Sequence, residues 1–180
     1  VSIIIPVYNQ LAHLMKCVQS LMVTATQEQI EIILLDDCST ELNLTEIMGP
    51  PFKVSRNDKN LGFAATCNRG ALLSQSPLLF CLNSDTVAKP DWFVPMAEAV
   101  QRNEVGIVGP KLIFPNEPEY DKGAGSIQSA GGLFDAGKGP YHRFMGYRPE
   151  HRTVDKPETV SWITGAAIMT RRSLFLSVGG

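Results

Sequence analysis

The chain alternates short, wholly apolar runs with stretches in which apolar residues return every three or four positions. The first run, "VSIII" (Val1 to Ile5), is unbroken and largely β-branched, the pattern of a strand covered on both faces. Pro6 is expected to stop it. From about Gln10 to Val23, Leu11, Leu14, Met15, Val18, Leu21 and Met22 follow helical spacing. "IEIILL" (residues 30–35) predicts a second buried strand running into Asp36-Asp37-Cys38-Ser39. A short helix at 42–48 closes on Gly49-Pro50-Pro51, and "FKVSRN" (52–57) predicts a third strand. Residues 62–73 predict a helix of small residues suited to close packing. A fourth strand is expected at 77–82, then a helix at 90–102 with Asp91 in its first turn, where the macrodipole favours negative charge. A fifth strand spans 105–114 with a break at Gly109-Pro110.

The pattern then changes. Residues 115–157 are rich in Gly, Pro and charge, relieved by "SIQSAGGLFD" (126–135), which predicts a short hairpin. A loop-rich stretch of that length inside a domain is usually functional. Strand character returns over 159–170, a helix starts, and the chain stops at Gly179-Gly180, which predicts truncation at the C-terminus. Strands alternating with helices give an α/β class, a mainly parallel sheet with helices on both faces. The 180 residues fit a single domain large enough to bury a core.

Composition narrows the partners. A net charge of -2 leaves no basic footprint, so nucleic acid is excluded as an expected partner. No apolar run approaches the roughly 20 residues of a membrane span, and Val1 opens directly on a predicted strand with no signal peptide. The expected location is cytoplasmic, with the cytoplasmic face of an inner membrane as the alternative through regions outside this chain. Cys17, Cys38, Cys67 and Cys81 form no CxxC pair and read as buried reduced thiols.

The candidate chemistry lies at strand ends, because ligands of open parallel sheets bind outside the carboxyl ends of the strands. The first strand ends in Pro6-Val7-Tyr8-Asn9, the second in Asp36-Asp37, the fourth in Asn83-Ser84-Asp85. Carboxylates gathered on one edge need a cation or hydrogen-bond donors to balance them. A lone strand-end carboxylate such as Asp85 suits Mg²⁺ or Mn²⁺ arriving with a diphosphate. No GxxxxGK[ST] or GxGxxG follows the first strand, which argues against P-loop and dinucleotide-binding proteins.

The segments "VSIIIPVYN", "EIILLDDCST", "NLGFAATCNRG", "LLFCLNSDTVAKPDW" and "ITGAAIMTRRSLF" come in the order and spacing of family 2 glycosyltransferases, and the resemblance covers essentially the whole chain. These are inverting enzymes of the GT-A fold that use nucleotide-sugars. "GSIQSAGGLFDAGKGPYHRFMGY" further resembles bacterial members that build surface polysaccharide, rhamnosyltransferase-like ones included.

The resemblance implies a nucleotide-binding half at 1–110 and an acceptor-side half at 111–180. The donor would be a UDP- or dTDP-sugar and the acceptor a glycan or a lipid-linked sugar. Pro6 and Tyr8 would line the nucleoside pocket beside Asn9, Tyr8 stacking on the base. Asp37 would accept from the imide N–H of uracil or thymine, while Asp36 supports the turn. Asn60, Gly62 and Asn68 would border the nucleotide. Asp85 resembles the last carboxylate of a DxD motif and would hold Mg²⁺ or Mn²⁺; Asn83 stands where that motif has its first Asp. Trp162, Thr164 and Gly165 would lie near donor sugar and acceptor, with core packing the alternative for Trp162. His142 and His151 are expected to be structural or exposed, with acceptor contact the alternative. The family's base lies past a "GGFDE"-like stretch, so it is expected beyond Gly180; Asp135 and Asp155 are the candidates within the chain. Two other readings stay open: a non-catalytic nucleotide-sugar-binding domain, and a sugar nucleotidyltransferase, which needs a Gly-rich basic loop that "PVYNQLAHL" lacks.

Overall fold

A computed structural model of the protein describes residues 1–25, 30–116, 123–137 and 139–180. Six strands form one sheet: β1 (Ser2–Val7), β2 (Glu31–Asp36), β3 (Lys53–Arg56), β4 (Leu78–Leu82), β5 (Ile107–Val108) and β10 (Ala167–Arg171), in the order β3-β2-β1-β4-β10-β5. β3, β2, β1 and β4 are parallel; β10 runs antiparallel to both β4 and β5. The predicted α/β architecture with a mainly parallel sheet is the one observed. The continuous apolar runs explain it: Ile3, Ile4, Ile5, Leu34 and Leu35 are fully buried, as strands covered on both faces require.

Pro6 does not stop β1; it pairs in register with Leu35. Val1 and Val7 turn their carbonyls to Glu31 and Asp37 in and after β2. Alternation therefore points the Pro6 nitrogen to the β4 side, where pairing has already ended at Ile4 and Cys81. The missing donor falls where the ladder asks for none.

Helices cover both faces. On one, α3 (Phe63–Leu73) brings Cys67 and Ala71 onto Ile4, Ile33, Leu35, Leu79 and Cys81, and α5 (Arg172–Ser177) adds Phe175 and Leu176. A Cβ on Gly70 would stand 2.8 Å from Leu35 Cδ1 and collide with Ile4, so close packing of α3 requires glycine there. On the other face, Trp92 stacks on Phe80 at 4.8 Å and donates to Thr24 at the end of α1 (Leu11–Thr24), just before α4 (Phe93–Val100). The buried side of α1 is Leu14, Cys17, Val18 and Leu21; Met15 and Met22 share its helical spacing but stay exposed. A four-residue helix, α2 (Leu44–Ile47), is capped by Asn43 accepting from Thr45 N–H.

Three expectations need correction. Asp91 precedes α4, at φ 62°, instead of occupying its first turn. The predicted strand 105–114 is two strands in different sheets, β5 and β6 (Leu112–Ile113), because Gly109-Pro110 separates them. Residues 126–135 hold β7 (Ile127–Ser129) and β8 (Gly132–Asp135), which do not pair with each other: β7 pairs with β6, and β8 with β9 (Gly139–His142). Arg171 donates to Val100 C=O at 2.5 Å and Arg172 to Ala71 C=O at 3.0 Å, taking up carbonyls in the last turns of α4 and α3.

The chain divides into two compact units, one of Val1–Val108 with Gly165–Gly180 and one of Gly109–Thr164. In the second, Trp162 packs over Gly132, its indole N–H donates to Leu133 C=O at 3.3 Å, and its ring meets His142 edge-on at 4.8 Å. Among the described residues no helix is long and apolar enough to cross a membrane.

Candidate functional site

β2, β1 and β4 are adjacent and parallel, so their carboxyl ends share one edge, and the residues that follow them meet there. β10 runs the other way, so its start arrives at the same edge: Asn83 N–H donates to Ala166 C=O at 2.9 Å. Over this edge lies an open cleft of about 340 Å³. Pro6, Val7 and Tyr8 enter it from β1, Asp37 from β2, and Asn83, Ser84 and Asp85 from β4. Asn60, Gly62 and Phe63 line it from the start of α3.

The three carboxylates of this edge have different surroundings. Asp36 is buried and accepts from Ser39 N–H at 2.8 Å, from Leu44 N–H at 3.3 Å and from Arg56, its ion-pair partner. It supports the turn. Asp37, 4% exposed, accepts at Oδ1 from Leu61 N–H (2.8 Å) and Asn57 Nδ2 (2.6 Å), and at Oδ2 from Gly62 N–H (2.9 Å). Burial pushes its carboxyl up. Hydrogen bonds from Leu61, Asn57, Thr66 and Gly62 outweigh this and hold it below the usual carboxylate range. Asp36 is held low in the same way, burial opposing bonds from Ser39, Leu44 and Arg56.

Asp85 is the contrast. It is exposed on the turn after β4 and makes no hydrogen bond or ion pair among the described residues. Its charge is felt by Cys17, whose thiol is pushed up to about 12 by burial first and by Asp85 second. Among the described residues no three His, Cys, Asp or Glu side chains cluster to hold a metal. A cation here would have the Asp85 carboxylate and the Asn83 amide oxygen as candidate protein ligands. Such hard oxygen donors fit Mg²⁺ or Mn²⁺ completing its shell from phosphate and water.

Two residues expected to touch nucleotide face elsewhere. Asn9 accepts at Oδ1 from Thr40 N–H (2.9 Å) and Glu41 N–H (3.0 Å), and its own N–H donates to Ser39 Oγ (2.8 Å). It ties the loop after β1 to the loop after β2 and does not line the cleft. Asn68 sits along α3 against Gly179, to whose carbonyl it donates at 3.5 Å. Gly62 takes φ 79° at the N-cap of α3, and Asn60 Oδ1 accepts from its N–H at 3.1 Å. Gly165 borders Phe63, an ideal Cβ on it reaching 3.4 Å from Phe63 Cε1. Trp162, Thr164 and His142 belong to the second unit, where His142 Nδ1 meets Ser129 Oγ at 2.9 Å. His151 meets the Tyr147 ring edge-on.

Sequence reasoning passed over Gln10, His13 and Phe63, which also line the cleft. Gln10 and His13 stand one helical turn apart where α1 begins, directly after β1; polar residues at that spacing beside a strand end were the available signal. Of the thiols, Cys17, Cys67 and Cys81 are buried as expected, but Cys38 is partly exposed, at φ 62°. Cys67 is hydrogen-bonded to Cys81, which together with burial pushes the Cys67 thiol up.

A family model described as glycosyl transferase family 2 matches residues 2–178, and the chain belongs to that family. It aligns over its whole length with the O-antigen biosynthesis protein RfbC of Myxococcus xanthus at 29% identity. It is 27% identical, over 99% of its length, to human polypeptide N-acetylgalactosaminyltransferase 10. The chain spans only 14% and 31% of these two relatives. Among solved structures, the mannosyltransferase PcManGT of Pyrobaculum calidifontis, in complex with GDP-Man and Mn²⁺, matches with a TM-score of 0.64 at 13% identity. That match covers 99% of this chain and 46% of PcManGT. S. aureus TarS (residues 1–349, with UDP) matches with a TM-score of 0.52 at 19% identity, over 64% of this chain and 38% of its own. The fold is GT-A.

Proposed function

We propose that this chain is the donor-binding part of an inverting, metal-assisted glycosyltransferase that takes a UDP- or dTDP-sugar and serves a glycan or lipid-linked acceptor. The observation that carries the reading is the division of labour at the sheet edge. Asp36 and Asp37 spend most of their acceptor capacity on the protein, whereas Asp85 lines the cleft with a carboxylate that makes no hydrogen bond or ion pair among the described residues.

Tyr8 stacks on the base with its half-exposed ring. Asp37 is fixed by Leu61 and Gly62, and its cleft-facing edge accepts the base N–H. Asp85 and Asn83 would hold the divalent cation, which would supply positive charge beside the diphosphate leaving group. The second unit, with Trp162, Thr164 and His142, takes the acceptor side. The names of two relatives, an O-antigen biosynthesis protein and an N-acetylgalactosaminyltransferase, and the ligands GDP-Man of PcManGT and UDP of TarS support a nucleotide-sugar donor; the choice of a pyrimidine base rests on the Asp37 edge of the cleft.

Calorimetry of UDP, dTDP and GDP with and without Mn²⁺ tests it. One pyrimidine nucleotide should bind in a Mn²⁺-dependent manner, and Asp85→Asn should abolish the dependence without lowering the melting temperature, because Asp85 makes no hydrogen bond or ion pair among the described residues. Unchanged Mn²⁺-dependent affinity in that variant removes Asp85 from the role.

A further inference from the structure

Phe63 occupies an unusual place in α3. The buried stripe of that helix is Thr66, Cys67, Gly70 and Ala71, and Phe63 lies three and four residues before its first members. Helical phase therefore puts Phe63 on the core-facing side. Yet it is 40% exposed, where the same stripe one turn later is closed. The reason is position: the sheet edge has been passed, and the ring forms a wall of the cleft beside Tyr8, which is 48% exposed.

Asp37 links the two rings. Its backbone N–H donates to Val7 C=O at 2.7 Å, one residue before Tyr8, and its Oδ2 accepts from Gly62 N–H at 2.9 Å, one residue before Phe63. Asp37 is thus tied through its backbone N–H to the Val7–Tyr8 peptide and through its carboxylate to Gly62, the neighbour of Phe63. Gly165, in the turn two residues before β10, sits against Phe63 with no side chain of its own, so the ring stays uncovered. A cleft with two uncovered aromatic rings beside one aspartate that holds both of their loops fits a flat ligand that carries an N–H on its edge.

We infer that Phe63 is a second base-contacting residue, sharing the nucleobase with Tyr8, and that Gly165 keeps its ring accessible. The inference rests on the nucleotide reading of this cleft and assigns it a base-specific part separate from the diphosphate part at Asp85. Base–aromatic stacking is sequence-tolerant, since every base has a π-face. Phe63 therefore supplies affinity while the Asp37 edge supplies the choice of base.

The test is calorimetry of the full chain with Mn²⁺ and two probes, UDP and inorganic pyrophosphate, the second having no base. Phe63→Ala should weaken UDP roughly five- to a hundredfold and leave pyrophosphate unchanged. Phe63→Leu keeps apolar bulk without the ring and guards against a folding defect; it should lose most of the same affinity, with an unchanged thermal midpoint. Phe63→Trp should retain UDP binding, and Gly165→Val should weaken UDP selectively by covering the ring. If the parent binds UDP and Phe63→Ala and Phe63→Leu match it, the inference is overturned while the nucleotide reading stands. If the parent binds neither UDP nor GDP with Mn²⁺, both fall together. Equal losses for UDP and pyrophosphate would also overturn it, by placing Phe63 in the general shape of the cleft.

Discussion

Each carboxylate at the sheet edge is defined by what donates to it. Asp36 and Asp37 have folded-state carboxyls held low by donors that an unfolded chain does not provide. An acid whose folded value lies below its unfolded value stabilises the fold above the unfolded value, about pH 4 for Asp, and loses that stabilisation as pH falls through the folded value. Urea-unfolding free energy should therefore be flat above about pH 5 and decline on acidification through pH 4 and below. Asp37→Asn, which cannot accept at both side-chain positions, should be less stable at neutral pH and show a shallower decline. An equal slope in that variant would assign the acid sensitivity to other groups, with Glu31, also held low by Lys53 and Ser2 against burial, the next to test.

At the scale of elements, α3 depends on its small residues. Alanine at position 70 gains up to about 1 kcal/mol in helix propensity, but its Cβ collides with Ile4 and stands 2.8 Å from Leu35 Cδ1, both fully buried. Overpacking of a closed core costs about 1–3 kcal/mol, so Gly70→Ala should be net destabilising and lower the urea midpoint. A raised midpoint would mean that α3 can lift off β1 and β2 freely. Much of this level was legible in the sequence, because β1, β2, β4, α1 and α3 each carry an apolar period that admits one reading. The misreadings are physical. Pro6 looks like a strand breaker until its nitrogen is known to face the unpaired side, and pairing partners are not encoded in a local pattern, so β7 and β8 read as a hairpin. At the site, Tyr8, Asp37, Gly62 and Asp85 were recognisable as strand-end or cap residues. Asn9 was not separable from them, since nothing in "PVYN" says that its amide turns toward Thr40 and Glu41. Phe63 was hidden by its helical phase, which marks it as core.

For the whole molecule, the division into two compact units carries its own prediction. Gly132 leaves the space that the Trp162 ring fills, and any Cβ there would overlap the indole. Gly132→Ala should displace Trp162, shifting tryptophan fluorescence and lowering the stability of the Gly109–Thr164 unit. All the cleft-lining residues belong to the other unit. UDP affinity should therefore stay within about twofold of the parent by the independence of sites without shared partners. A large loss of nucleotide binding would show that the two units are energetically one.

Asn9 gives the loops after β1 and β2 a common clock. Through it, Thr40 and Glu41 amides are held by a residue one position from Tyr8. Opening either loop to solvent breaks the same bonds, so the two should exchange amide hydrogens as one cooperative unit. A nucleotide that quiets Tyr8 would then slow exchange at Thr40 and Glu41, which it does not touch, and Asn9→Ala should uncouple the two while leaving Tyr8 in place. Occupation of the cleft should then be readable in the backbone of the second loop, as slowed exchange at those two amides.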